Sequence, residues 1–139
     1  TQYKLDHEIP YDTLLFSDAK STLDVLKAEG YKLGLASSTI KIEIIRAMKL
    51  TGLLPYFEVV LSGDDFEESK PNPEIYQVAM TRLNVAPEET LVIEDSEKGI
   101  AAGVDSGATV WGIKDNVFGL NQTRAAKLFD NLTQIVKQL

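Results

Sequence analysis

The chain has 139 residues, 14 basic and 21 acidic, for a formal charge of −7, with 44% hydrophobic residues; this composition predicts one globular domain, large enough to hold a core unaided. The acidic balance excludes a phosphate-backbone binder, which needs clustered Lys and Arg, so no nucleic-acid partner is expected. With no cysteine, disulfides, thiolate zinc sites and Cys nucleophiles are excluded, which suits a reducing cytoplasm, and no apolar run approaches the ~20 residues needed to cross a bilayer, so no membrane partner is expected.

Residues 1–15 are irregular and contain Pro10. A first helix is predicted over residues 18–29, with Ser17 or Asp18 as N-cap, Val25 and Leu26 inward and Gly30 as its stop. A strand over 32–36 follows, then the polar loop Ser37-Ser38-Thr39 and a helix in which Ile42, Ile45 and Met48 or Lys49 recur at helical spacing. Residues 58–62 form a second strand, ended by the turn Gly63-Asp64-Asp65. Asn72 and Pro73 are the N-cap and first-turn pair of a helix whose Ile75, Val78, Ala79 and Leu83 make an apolar stripe. Beyond Ala86-Pro87 comes a strand over 90–93; Ser96 caps a helix running to about 106 that Gly107 ends. A fourth strand over 109–113 precedes helical turns over 123–128 and 131–138. Strands alternating with helices require right-handed parallel crossovers, so the expected class is α/β, a Rossmann-like parallel sheet flanked by helices on both faces.

Sites in such sheets form at the carboxyl ends of strands. That rule selects Ser37, Ser38 and Thr39, then Asp64 and Asp65, then Glu94, Asp95 and Ser96, then Asp115 and Asn116, with Lys70 joining from a loop. Glu94-Asp95 places two carboxylates after an apolar strand, where a magnesium ion is readily held by oxygen donors and substrate phosphate; equally, Asp95 or Ser96 caps the helix and Glu94 is solvated. Ser37 suits either a helix-entry turn or a phosphate site. Lys70, made extended by Pro71, is either an exposed loop lysine or a cation aimed at phosphate. Taken in order, hydroxyl, lysine and paired acids are most of what phosphoryl transfer needs. Gly99, Gly103 and Gly107 do not fit a G-x-G-x-x-G nucleotide loop, and their four-residue spacing puts them near one helix face that packs closely on the sheet.

Leu35-Ala36-Ser37-Ser38-Thr39, Ser69-Lys70-Pro71-Asn72-Pro73-Glu74-Ile75-Tyr76 and Val92-Ile93-Glu94-Asp95-Ser96-Glu97-Lys98-Gly99-Ile100-Ala101-Ala102-Gly103 resemble motifs II, III and IV of the haloacid dehalogenase superfamily, closest to its β-phosphoglucomutase-like phosphatases. The resemblance implies that Ser37 binds the transferring phosphoryl group with help from the Ser38 amide. It further implies that Lys70 neutralises phosphate and orients the nucleophile, and that Glu94 and Asp95 hold Mg2+. It leaves the acidic turn Asp64-Asp65 open between a structural and a functional role, and makes Ser96 a helix cap.

The superfamily's first motif, an Asp-x-Asp pair on the central strand, has no match here: Asp6, Asp12, Asp18 and Asp24 are isolated, and none follows an apolar strand. No nucleophile is therefore assigned in this chain, and the central first strand is expected to be missing from the sheet, leaving its two neighbours facing a gap of unpaired backbone groups. Residues 1–15 then read as the end of a helical cap or linker, and 16–139 as the C-terminal part of the core domain. The expected activity is magnesium-dependent hydrolysis or transfer of small phosphomonoesters such as sugar phosphates, by a phosphatase or phosphomutase. It would proceed through an aspartyl-phosphate whose Asp lies in a companion N-terminal segment or chain; the 139 residues alone are expected to be inactive. The alternatives are a catalytically inactive fragment or interaction domain, and a dehalogenase, against which Glu94-Asp95 argues because dehalogenation needs no magnesium. A receiver domain would carry its acidic cluster before its hydroxyl and lysine, the reverse of the order Ser37, Lys70, Glu94-Asp95.

Overall fold

The computed structural model describes residues 7–8 by their backbone, and residues 19–115 and 119–139. The predicted caps Ser17 and Asp18, and the candidate Asn116, lie outside the described residues. Six strands form one parallel sheet: β1 (His7–Glu8), β2 (Leu33–Ser37), β3 (Val59–Ser62), β4 (Leu91–Glu94), β5 (Thr109–Ile113) and β6 (Lys127–Phe129). Among the described residues five α-helices cover it: α1 (Ala19–Ala28), α2 (Lys41–Thr51), α3 (Glu74–Leu83), α4 (Glu97–Asp105) and α5 (Leu132–Lys137). The spatial order is β3-β2-β1-β4-β5-β6, so the chain winds outward in one direction and then restarts at β4. The reversal falls between β1 and β4, and the carboxyl ends beside it are where such a sheet opens a crevice.

Where the sequence leaves the central position to a strand from outside this chain, the two-residue β1 sits between β2 and β4. It pairs only with their amino-terminal ends, His7 opposite Leu33 and Leu91, Glu8 opposite Gly34 and Val92. Among the described residues that ladder stops there, and the carboxyl-terminal halves of β2 and β4 run on past it. Pairing even two residues answers part of the cost of leaving central backbone groups unbonded.

Side chains alternate across the sheet and build two cores. Leu33 and Leu35 of β2 and Leu91 and Ile93 of β4 meet Leu23, Leu26, Ile44 and Met48 on the α1–α2 side. Ala36, Val92 and Val110 meet Tyr76, Met80 and Ile100 on the α3–α4 side. The same alternation carries Ser37 toward the first face and Glu94 toward the second.

Helix faces differ from the predicted ones in two places. In α1 the inward residues are Leu23 and Leu26, while Val25 is 46% exposed. In α2 they are Ile44 and Met48, one turn apart, and Ile42 is 65% exposed. Several apolar residues in a row offer more than one stripe, and the helix turns the one that reaches Leu53 and the sheet into the core. In α3 the buried stripe holds Ile75, Ala79 and Leu83 of the four expected residues, with Val78 only partly buried, and is widened by Tyr76 and Met80.

The turns predicted over 123–128 are not helical: Lys127–Phe129 is the edge strand β6, with Trp111 opposite Lys127 and Ile113 opposite Phe129. Good helix formers yield here to the open edge of β5 and to Trp111, whose ring packs 5.2 Å from that of Phe129 and lies under the Lys127 ammonium at 5.2 Å. Gly112 allows the approach, since a Cβ there would fall 2.6 Å from Leu128.

Candidate active site

Three loops converge at the crevice. The first leaves β2 at Ser37, which is buried, and its Oγ accepts the Thr39 amide at 3.1 Å. This is the local turn that Ser favours after a strand, and it leaves the hydroxyl proton to donate elsewhere. Ser38 is exposed at the crevice. The turn after β3 backs closely onto this loop, because a Cβ on Gly63 would lie 3.2 Å from the Ser38 carbonyl oxygen.

The acidic turn itself is structural. Asp64 accepts the Lys41 amide at 3.3 Å, near the start of α2. Asp65 pairs with the Lys41 ammonium at 2.8 Å and accepts the Ser62 amide at 2.8 Å, while the same ammonium donates to the Val60 carbonyl at 2.8 Å. Burial pushes the Asp65 carboxyl up, but Lys41, the Ser62 amide and Arg82 together outweigh it and hold it below the ordinary carboxylate value. These contacts clip β3 to α2 and so support the Ser37 loop from below.

The second loop brings Lys70, joined to Pro71 by a cis peptide, to the start of α3. Pro73, rather than Asn72, is the N-cap of that helix, and Asn72 Oδ1 accepts the Glu74 amide at 2.9 Å in the turn that enters it. The Lys70 ammonium donates to Glu94 Oε2 at 2.6 Å and to the Ala36 carbonyl at 3.5 Å, and lies 5.1 Å from the centre of the Tyr76 ring. Strands two places apart are separated by roughly 9–10 Å. One ammonium touching a β2 carbonyl and a β4 carboxylate therefore reaches across the central position of the sheet.

The third loop is Glu94-Asp95-Ser96. Glu94 is buried, and its carboxylate is held on several sides: Oε2 by Lys70 and by the Tyr76 hydroxyl, each at 2.6 Å, and Oε1 by the Asp95 amide at 3.1 Å. A buried charge tolerates this position because it is both paired and hydrogen-bonded. Gly99 makes the room, since a Cβ there would lie 2.2 Å from the Glu94 carboxyl carbon. Gly103 lets α4 settle on the sheet, where a Cβ would meet Val110 at 2.7 Å, whereas Gly107 ends the helix at a φ of +93°. Ser96 is the helix cap, its Oγ accepting the Gly99 amide at 3.0 Å. Asp95, between Glu94 and this cap, is half-buried.

The residues fit a magnesium ion by chemistry. Glu94 and Asp95 offer oxygen donors only, side by side at the end of a strand, and magnesium uses one or two protein carboxylates with water and substrate phosphate. Among the described residues no group of three or more His, Asp or Glu side chains is arranged to hold a metal ion. Beside these two acids opens a cleft of about 580 Å³ lined by Ser38, Ser69, Lys70, Ser96, Lys98 and Leu120, among others.

Ser37, Ser38, Lys70, Glu94 and Asp95, to which the resemblance gives site roles, thus lie on three loops at one end of the sheet, with Lys70 and Glu94 in direct contact. The sequence missed Tyr76, which takes part in both the Glu94 and the Lys70 contacts. The signal was an aromatic hydroxyl beside the apolar stripe of α3, six residues after the lysine. Asp115, also selected from sequence, shapes its own loop by accepting the Leu120 amide at 2.7 Å.

Comparison with known proteins agrees with this geometry. Residues 2–113 match the model of the haloacid dehalogenase-like hydrolase family. The chain is 37% identical over 108 residues to pyrophosphatase PpaX of Bacillus pumilus, covering 75% of this chain and 48% of that protein. It is 36% identical over 107 residues to the phosphorylated carbohydrates phosphatase of Thermotoga maritima, covering 76% and 48%. Among solved structures, a HAD phosphatase from Thermococcus onnurineus superposes with a TM-score of 0.79 at 32% identity, covering 88% of this chain and 57% of that one. The chain spans about half the length of the curated relatives it matches. With its parallel sheet, its lysine–glutamate pair at the crevice and a family match over most of its length, the chain belongs to the haloacid dehalogenase-like hydrolases.

Proposed function

We propose that this chain forms most of the catalytic core of a magnesium-dependent phosphatase or phosphomutase acting on small phosphorylated metabolites, sugar phosphates foremost, in the cytoplasm. The observation that carries this reading is the buried Lys70–Glu94 pair, seated at the carboxyl ends of β2 and β4 with Ser37 on the neighbouring loop. The names of relatives point to phosphorylated carbohydrate and to pyrophosphate, two substrates that share a terminal phosphoryl group. No described helix is long and apolar enough to cross a membrane, which accords with such a substrate.

Each residue then has a task. The Ser37 hydroxyl and the Ser38 amide donate to phosphoryl oxygens, and Lys70 neutralises them while its other contacts keep the ammonium aimed at the crevice. Glu94 and Asp95 hold the magnesium ion, which supplies positive charge against the phosphoryl oxygens. The nucleophile is an aspartate from an upstream segment that takes the central position of the sheet in place of the two-residue β1, in which case residues 1–15 belong to the end of a cap or linker. Its carboxylate oxygen bonds to phosphorus as the bond to the leaving oxygen breaks and that oxygen takes up a proton. Water, or a substrate hydroxyl in a mutase, then attacks phosphorus and frees the aspartate. The test is release of inorganic phosphate from a sugar phosphate and from pyrophosphate by the full-length protein with magnesium, with EDTA, and by the 139 residues alone. Magnesium-dependent release by the full-length protein only is expected; full activity of the 139 residues, or turnover unaffected by EDTA, would overturn the reading.

A further inference from the structure

Gln122 lies in the segment between β5 and β6, outside every motif read from the sequence, and is only 9% exposed. Its side-chain amide is fully engaged. Nε2 donates to the Asp95 carbonyl at 2.8 Å and to the Ile113 carbonyl at 2.7 Å, and Oε1 accepts the Asp115 amide at 3.0 Å. This pattern fixes which way the amide faces: turned over, its oxygen would confront two carbonyls and its NH2 an N–H.

Asp95 occupies the step between the end of β4 and the Ser96 cap of α4, and its carbonyl accepts the Gln122 side-chain amide there. The Asp95 amide meanwhile donates to Glu94 Oε1 at 3.1 Å, so the residue is tied at both of its backbone groups. A carbonyl partly withdrawn from water loses free energy when its donor is removed, so this part-buried bond holds the Asp95 backbone in place.

We propose that Gln122 is a positioning residue for magnesium: by fastening the Asp95 carbonyl to the end of β5, it fixes the backbone from which the Asp95 carboxylate reaches the ion. The proposal rests on Glu94 and Asp95 being the magnesium ligands. Partners that orient a ligand from behind change metal affinity by about 10–100-fold when removed.

The test uses the full-length protein and titrates magnesium by isothermal calorimetry in the wild type, Gln122→Met, Gln122→Ala and Ile135→Val. The methionine fills the space without hydrogen-bonding, and Ile135→Val loosens the distant core that Ile135 joins. We expect both Gln122 variants to weaken magnesium binding by about tenfold or more, Ile135→Val to leave it within about twofold, and saturating magnesium to restore turnover in Gln122→Met. Wild-type magnesium affinity in a folded Gln122→Met protein would overturn the proposal and leave Gln122 as a strap for its own segment. A wild type that binds no magnesium would instead remove the ligand assignment itself, and this proposal with it. Should Gln122→Ala fail to fold, Gln122→Met decides the matter.

Discussion

Replacing Lys70 by methionine isolates the electrostatic centre of the site. The lysine and glutamate side chains are 9% and 5% exposed and 2.6 Å apart, so removing the cation strands a carboxylate with little access to water. Breaking a buried pair from one side costs about 3–5 kcal/mol. Glu94 would keep its bonds from the Tyr76 hydroxyl and the Asp95 amide, which places the expected loss at the lower end, about 3 kcal/mol. With a urea dependence of about 2 kcal/mol per molar, the midpoint of unfolding should fall by roughly 1.5 M. Lys70→Met/Glu94→Gln removes both charges and retains an acceptor for Tyr76, so it should return to within about 1 kcal/mol of the wild type. Urea unfolding of the full-length protein, followed by circular dichroism, reads both values, while phosphate release should be lost in both variants. A single variant as stable as the wild type, or a double variant no better than the single, would refute the view that Lys70 balances a buried charge.

Two further outcomes follow from the same geometry. Gly99→Ala puts a Cβ 2.2 Å from the Glu94 carboxyl carbon, so hydrolysis should drop by about 100-fold, as for a reacting group displaced by an ångström, while alanine's better helix propensity keeps the melting temperature within a few degrees; unchanged turnover would contradict the contact. Asp65 has a folded pKa below its unfolded one, so its stabilisation is present above the ordinary carboxylate value near ~3.9 and is lost as pH falls through the lower folded value. Because its side chain is 36% exposed, Asp65→Asn should cost less than about 1 kcal/mol near neutral pH, and the difference from wild type should vanish in strong acid; a gap that widens with acid would reverse the assignment.

Much of this molecule can be read without coordinates. The strands at 33–37, 59–62, 91–94 and 109–113 fall within a residue of the predicted ones, because each is a short apolar run bounded by Gly, Pro or a polar turn. The candidate residues were placed for a related reason: Ser37, Glu94 and Asp95 stand where apolar runs stop, while Lys70 is marked by the Pro that follows it in a polar loop. The rotation of α2 was not legible, since Ile42, Ile44 and Ile45 are equally apolar and only the neighbours already in place choose among them. Nor was β6, whose residues favour a helix until the edge of β5 and the Trp111 ring compete for them.

By itself the sequence determined an acidic, cysteine-free α/β chain, the order of its motifs and the residues that end its strands. Those features rest on local preferences and on composition, which act whatever the rest of the chain does. The tertiary structure alone decided that Lys70 reaches β2 and β4 together, that Tyr76 and Gly99 shape the pocket for Glu94, and that Gln122 ties Asp95 to the end of β5. Each of these joins atoms from separate segments of the chain, and their hydrogen bonds and close contacts depend on ångström distances that exist only once both segments have packed on the sheet.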